Sequence, residues 1–300
     1  MPLGELAALL NAVAWAATGV TAKTLSPAMR PVHVITAHTV IASAVFLIIG
    51  AATGGLDGLV TAPAAALLLF SAAALLNTVG GFIFFTAIST GSVGGTYTTT
   101  TGLYILLSLL AGVLFLGETV GPLAAVGAAG IACGVYILNG PGRITQTRAA
   151  AQPGRGRPSK LFTGLGLGAG TAVLWTIGLL VMKWGLDRSD VLTGSFMRNS
   201  VAASLYLAYA LASRRVQMPR TDRRDWLKLA VSAGFFASSV FSWNYALAHA
   251  SAGKTAVLAS ASPVFAMLMA VVVLRERLNR FAIAATAVAI AGTLLVVAAQ

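Results

Sequence analysis

Ten stretches of the chain each approach the roughly 20 apolar residues that a helix needs to cross a hydrocarbon core. They fall at residues 3–25, 32–53, 63–88, 93–116, 120–140, 161–184, 191–213, 227–248, 253–274 and 279–299. Most are separated by turn or charge signals: "SPAMRP", "TGGLDG", "GETVG", "GLDRSD" and "LRERLNR". The weakest boundary is "STGSVGG", where the third and fourth runs almost merge. Such lengths suit helices, not the alternating strands of about 10 residues found in outer-membrane barrels. Only 9% of the residues are charged and 57% are hydrophobic. A soluble domain carries about 25% charge, so a water-facing surface cannot be covered. The expected fold is an all-α integral membrane bundle of ten transmembrane helices. The first run has no basic segment ahead of it and is long enough to span, so it is read as a helix and not as a cleaved signal.

The net charge of +12 sits in short loops. Lipid headgroups are therefore the expected partner, and nucleic acid is not. Cys133 stands alone, and His33, His38 and His249 show no metal-ligand spacing. No metal, cofactor or obligate protein partner is expected. The longest polar stretch, "GPGRITQTRAAAQPGRGRPSK", divides the chain into a five-helix repeat at 1–140, a basic Gly/Pro/Arg linker at 141–160 and a second five-helix repeat at 161–300.

The halves are alike. Trp15 and Lys23 return as Trp175 and Lys183 at an offset of 160. "LGETV" at 116–120 returns as "LRERL" at 274–278, placing Glu118 on Glu276, and a glycine follows each Glu by 16 residues, at Gly134 and Gly292. "TAISTGSVGGT" at 86–96 resembles "YALAHASAGKT" at 245–255. Five is an odd number, so a copy appended in series enters the membrane from the opposite side. This gives two inverted repeats, a plan common among secondary transporters. The two lysines end their spans and can snorkel, with each Trp about 12 Å deeper.

These residues resemble the drug/metabolite transporter superfamily, and within it the EamA type, across nearly the whole chain. The shared features are the early Trp and Lys of each half, the Gly-Glu or Arg-Glu motif after the fourth span, and "PVF" at 263–265. The resemblance implies a ten-helix transporter with a central cavity, with YddG-type exporters of aromatic and other amino acids as one neighbour. Loops after odd-numbered spans hold nearly all the basic residues outside the helices, and the other side has only Arg188 and Lys254. The positive-inside rule then places the basic loops in the cytoplasm of an inner membrane and both termini outside. Relatives are usually drawn with termini inside.

Ionisable groups at membrane depth are functional candidates, and all eight acidic residues lie at span ends or in loops. A chamber without carboxylates suits a small uncharged or zwitterionic substrate better than a cationic drug. Arg198 lies about 10 Å inside its span; it either holds an anionic group or snorkels. His38, similarly placed, is either a proton site or a hydrogen-bonded structural histidine. Asn77 and Asn244 either orient a ligand or join helices, and Trp243 either lines the site or anchors at the interface. In "TYTTTTGLY", Tyr97, Thr98, Thr99 and Tyr104 are candidates for a polar cavity wall. In the other half, "LASASPVF" offers Ser260, Ser262 and Pro263; the proline removes a donor and frees the carbonyl of Ala259. Interrupted helices at matching places in two repeats point to a binding site, although a plain kink is the alternative. Trp15 and Trp175 flank these spans, as site walls or as packing.

The expected function is alternating-access transport, in the export direction, of a small metabolite such as an aromatic or hydrophobic amino acid. A sugar-phosphate or nucleotide-sugar carrier is the alternative substrate class. Rivals of another class are an intramembrane enzyme, which lacks a positioned nucleophile or acid/base pair here, and a pore, which lacks charge rings.

Overall fold

A computed structural model describes residues 3–25, 29, 31–55, 57–90, 93–139, 158–212, 222–273 and 280–299. The described residues are helical with short connections: α1 (Leu3–Lys23), α2 (Pro31–Thr53), α3 (Asp57–Thr61), α4 (Ala64–Thr90), α5 (Val93–Leu116), α6 (Pro122–Asn139), α7 (Pro158–Leu186), α8 (Val191–Ala212), α9 (Arg223–His249), α10 (Ala252–Ala259), α11 (Ser262–Val273) and α12 (Arg280–Ala298). The linker 140–157 and Glu276 lie outside the described residues.

Local chemistry sets these bounds. Pro31, Pro122 and Pro158 each open a helix, where a missing N–H costs nothing and φ is already helical. Gly54 and Gly117 follow the last residues of α2 and α5 with φ of 72° and 66°, the left-handed cap that glycine adopts without a Cβ penalty. Asp190 caps α8: Thr193 donates to it from its backbone N–H at 2.8 Å and from its hydroxyl at 2.6 Å. The ninth run does not form one helix. It breaks at Ser260–Ala261, just ahead of Pro263. There the backbone tightens to three-residue bonds, from Ser260 N–H to the Val257 carbonyl at 3.2 Å and from Ala261 N–H to that of Leu258 at 3.1 Å.

Five described helices are long and apolar enough to cross a membrane: α1, α2, α4, α5 and α7. The apolar helices α6 and α12 are shorter. α8 and α9 are long but more polar, and the reason is positional. Their polar side chains are buried: Thr193, Ser195 and Asn199 on α8, and Ser232, Ser239, Ser242 and Asn244 on α9. A helix turned inward in a bundle tolerates hydroxyls and amides that lipid would not.

The chain packs as two units, neither of which is a sequence half. The first comprises Met1–Leu75, Val181–Ala250 and Phe265–Glu276. In it α1 packs along α9, and α2 packs on α8 and α9. Lipid gives no hydrophobic drive between helices, so polar bonds and close contact must hold them. Asn11 donates to the Ser239 carbonyl at 2.8 Å and its hydroxyl at 2.9 Å, and Ser232 donates to the Thr18 carbonyl at 3.1 Å. Ala42, Phe46, Phe236, Ala237 and Val240 form an apolar core between α2 and α9.

The second unit comprises Leu76–Leu180, Ser251–Val264 and Arg277–Gln300. Its tightest seam joins α6 to α12. A Cβ on Gly127 would lie 2.6 Å from the Gly292 carbonyl oxygen, and one on Gly134 would lie 2.6 Å from the Ala289 side chain. Glycine is needed at both places because the backbones touch. α5 packs on α10, and Glu118, just past α5, accepts hydrogen bonds from the N–H of Ala252 and, at 2.9 Å, of Gly253. A carboxylate there answers the unpaired amides and positive dipole end of α10.

Candidate functional site

In the second unit, α4, α5 and α7 bring three sequence candidates together: Asn77, Tyr104 and Trp175. Trp175 donates its indole N–H to the Asn77 carbonyl at 3.3 Å. Its ring lies 5.4 Å from Phe84, tilted 44°, and 6.2 Å from Tyr104, edge-on at 88°. Two glycines make this possible. A Cβ on Gly80 would sit 2.7 Å from the Trp175 ring, and one on Gly178 would sit 2.7 Å from the Asn77 amide nitrogen. The indole thus lies over a notch in α4, and the amide over a notch in α7. Thr100 is buried and donates to the Gly168 carbonyl at 3.1 Å, while Thr171 donates to the Leu167 carbonyl of its own helix at 3.0 Å with that of Gly80 3.4 Å away. Of the threonine run, Thr99 is half-buried, and the side chains of Tyr97 and Thr98 lie outside those described.

The first unit places Trp15 differently. It is 50% exposed and leans on Phe236, with centroids 6.1 Å apart and planes 45° apart. Ser239 stands in α9 where the repeat puts Gly80 in α4, and its side chain is held by Asn11. The notch is therefore filled, and the tryptophan stays outside. His38 also stacks on Phe236, 5.5 Å away and nearly parallel at 27°. Asn244 is fully buried and donates to Ser195 Oγ at 2.9 Å; its carbonyl oxygen has no partner among the described residues. Arg198 and Trp243 are half-buried. A groove of about 330 Å³ runs along α1 beside Phe235 and Met269. Thr21, one of its two hydroxyl residues, is already bonded to Ala17, so the groove offers little to hold a zwitterion.

The break between α10 and α11 holds the remaining candidates. Ser260 is buried and donates to the Ala256 carbonyl at 2.7 Å, so its hydroxyl serves its own helix. Ser262 and Pro263 are half-buried. No group of three or more metal-ligating side chains occurs among the described residues.

Phe84, Thr171, Gly80, Phe236 and Asn11 were not singled out from the sequence, yet they build the surroundings of the two tryptophans. One signal was present. "NAVAW" at 11–15 and "TAVLW" at 171–175 put a polar residue one helical turn before each Trp. Asn11 reaches Ser239 in one unit, and Thr171 reaches towards Gly80 in the other. The two acceptors are 159 residues apart, the offset that relates "TAISTGSVGGT" to "YALAHASAGKT".

The sequence profile of the EamA-like transporter family matches residues 2–140 and again residues 162–298. The chain belongs to the EamA-like transporter family. It is a multi-pass membrane protein of two repeats. One relative, a "Probable terminal-alkyne amino-acid exporter" of Streptantibioticus cattleyicolor, is 34% identical over 129 residues, covering 43% of each chain. The match thus spans less than half of that relative's length. A protein of known crystal structure shares the fold, with a TM-score of 0.75 at 20% identity over 99% of this chain and 96% of its own.

Proposed function

We propose that this EamA-like transporter exports a small zwitterionic metabolite, foremost an amino acid with an apolar side chain, across the inner membrane by alternating access. The observation that carries the reading is the aromatic group of Trp175, Phe84 and Tyr104 beside Asn77. An aromatic face attracts an ammonium group and equally accepts an apolar side chain. The neighbouring amide can bond a carboxylate or an ammonium. No carboxylate lies mid-helix among the described residues, which disfavours cationic drugs. The exporter of S. cattleyicolor supports amino acids as the class.

The two matched segments act as inverted five-span repeats at 1–140 and 161–300. The odd span number and the paired Asn11 and Thr171 contacts support this. The basic loops face the cytoplasm, a reading that the charge asymmetry supports.

The reading is tested with purified protein in liposomes, using labelled phenylalanine and propargylglycine as probes. Trp175→Ala is expected to weaken half-saturation by about 3- to 30-fold, the worth of one desolvated aromatic contact to a cation. Trp175→Phe should keep most of the affinity. An unchanged half-saturation in Trp175→Ala removes the aromatic group from the site.

A further inference from the structure

We propose that His38 is the proton-carrying residue of the transport cycle, so that amino-acid export is exchanged for protons. This rests on the amino-acid reading above.

The buried ionisable side chains among the described residues are Glu5, His38 and Tyr206. Glu5 and Tyr206 have interaction partners of their own. His38 is 3% exposed, and its Nε2 has no hydrogen-bond partner among the described residues. A buried nitrogen left open is unfavourable, and a purely structural histidine would have its donors and acceptors filled. In the tautomer with its proton on Nδ1, the open nitrogen carries a lone pair, which is where a second proton binds. Packing around the ring is apolar: Phe236 stacks on it, and Ala42, Ile35 and Val240 belong to the same core.

The helices packed on α2 are α8 and α9. On α9 the charged and titratable groups are Arg223, Arg224, Asp225, Lys228, Tyr245 and His249. Counted from Phe236, Lys228 and Tyr245 are the nearest, about 12 Å away along the helix in either direction. On α8 they are Arg198, Tyr206 and Tyr209. Leu192 and Phe196 face the core. Arg198 is rotated about 200° from Phe196, and it has a partner of its own. Tyr206 lies about 15 Å further along. On α2 itself His33 is more than a turn away and likewise partnered. Among the described residues of these helices, no neighbouring charge thus fixes His38 in one protonation state.

The ring is also mechanically placed. It touches Phe236, which touches the half-exposed Trp15. An imidazolium in an apolar core is unstable without hydration or a partner. Binding a proton therefore favours a conformation in which His38 reaches water, and Phe236 and Trp15 move with it. Releasing the proton on the other side restores the closed core. The stack is the coupling element of this scheme, and the imidazole needs no carboxylate to help it.

The test uses the full chain in liposomes with a pH-sensitive dye inside, and propargylglycine as the probe. Outward amino-acid flow in the wild type should carry protons inward. A gradient of one pH unit should give about tenfold accumulation per proton exchanged. His38→Gln should keep counterflow within about twofold and lose the pH-driven accumulation, as expected when the side chain can no longer take up a proton. Glu5→Gln should keep both. Counterflow in the wild type with no proton movement, or with protons moving alongside the amino acid, overturns the inference but not the amino-acid reading. Accumulation that survives in His38→Gln, or vanishes only in Glu5→Gln, also overturns it. Absence of counterflow with any amino acid overturns both. Should His38→Gln not fold, proton exchange in both the wild type and Glu5→Gln supports the assignment, and its absence from either defeats it.

Discussion

Gly292→Ala should open the α6–α12 seam. The added methyl would sit 2.6 Å from the Gly127 carbonyl oxygen, 2.7 Å from the Ile131 nitrogen and 3.0 Å from the Gly130 carbonyl carbon. Ordinary contact begins near 3.4 Å, so the helices must part by about 0.8 Å, because backbone atoms have no rotamer to retreat to. A gap of that size forfeits a quarter to a half of each van der Waals well along the seam, and lipid supplies no hydrophobic drive to offset it. Overpacking of this kind costs about 1–3 kcal/mol. Alanine also raises helix propensity by about 1 kcal/mol, which would mask part of the loss. Gly102→Ala on α5 is the control, since its Cβ would meet nothing within 4 Å. It gains the propensity without the clash. Thermal unfolding in detergent, read by fluorescence-detected size exclusion, should place Gly292→Ala below Gly102→Ala by the full 1–3 kcal/mol of the clash. Equal or reversed melting temperatures would refute the close backbone contact.

Glu118→Ala should destabilise the protein by about 2–4 kcal/mol, since two backbone amides lose a charged acceptor, and Glu118→Gln by about half as much; the same unfolding assay decides, and an unaffected Ala variant contradicts the cap. In a Cys133→Ala background, a thiol placed in the 141–160 linker should resist impermeant reagents in intact cells and react after lysis. Labelling in intact cells would reverse the assigned orientation.

Much of the fold could be read from punctuation. The run 93–116 became Val93–Leu116 because a left-handed glycine at 117 stops it. The run 191–213 became Val191–Ala212, with Asp190 as a cap. Pro263 announced a disturbance, but a proline fixes only the loss of a donor; that two residues would leave the helix was decided by the local turn. The short α3 carries no sustained periodicity and went unseen. Site partners were harder to find. That Gly80 opens a notch for Trp175 while Ser239 closes the matching one to Trp15 depends on which helices meet, and a linear pattern does not encode that directly. The offset between the halves did encode it indirectly. Gly134 and Gly292, matched as repeat anchors, proved to line the same α6–α12 seam.

The most direct measurement is counterflow in liposomes loaded with unlabelled amino acid. A carrier that binds a zwitterion and exposes it to one side at a time should take up labelled phenylalanine or propargylglycine faster when the lumen is loaded, with the label recovered chemically unchanged. Uptake indifferent to the internal load would indicate a pore, and altered label would indicate an enzyme; either result contradicts an alternating-access amino-acid exporter.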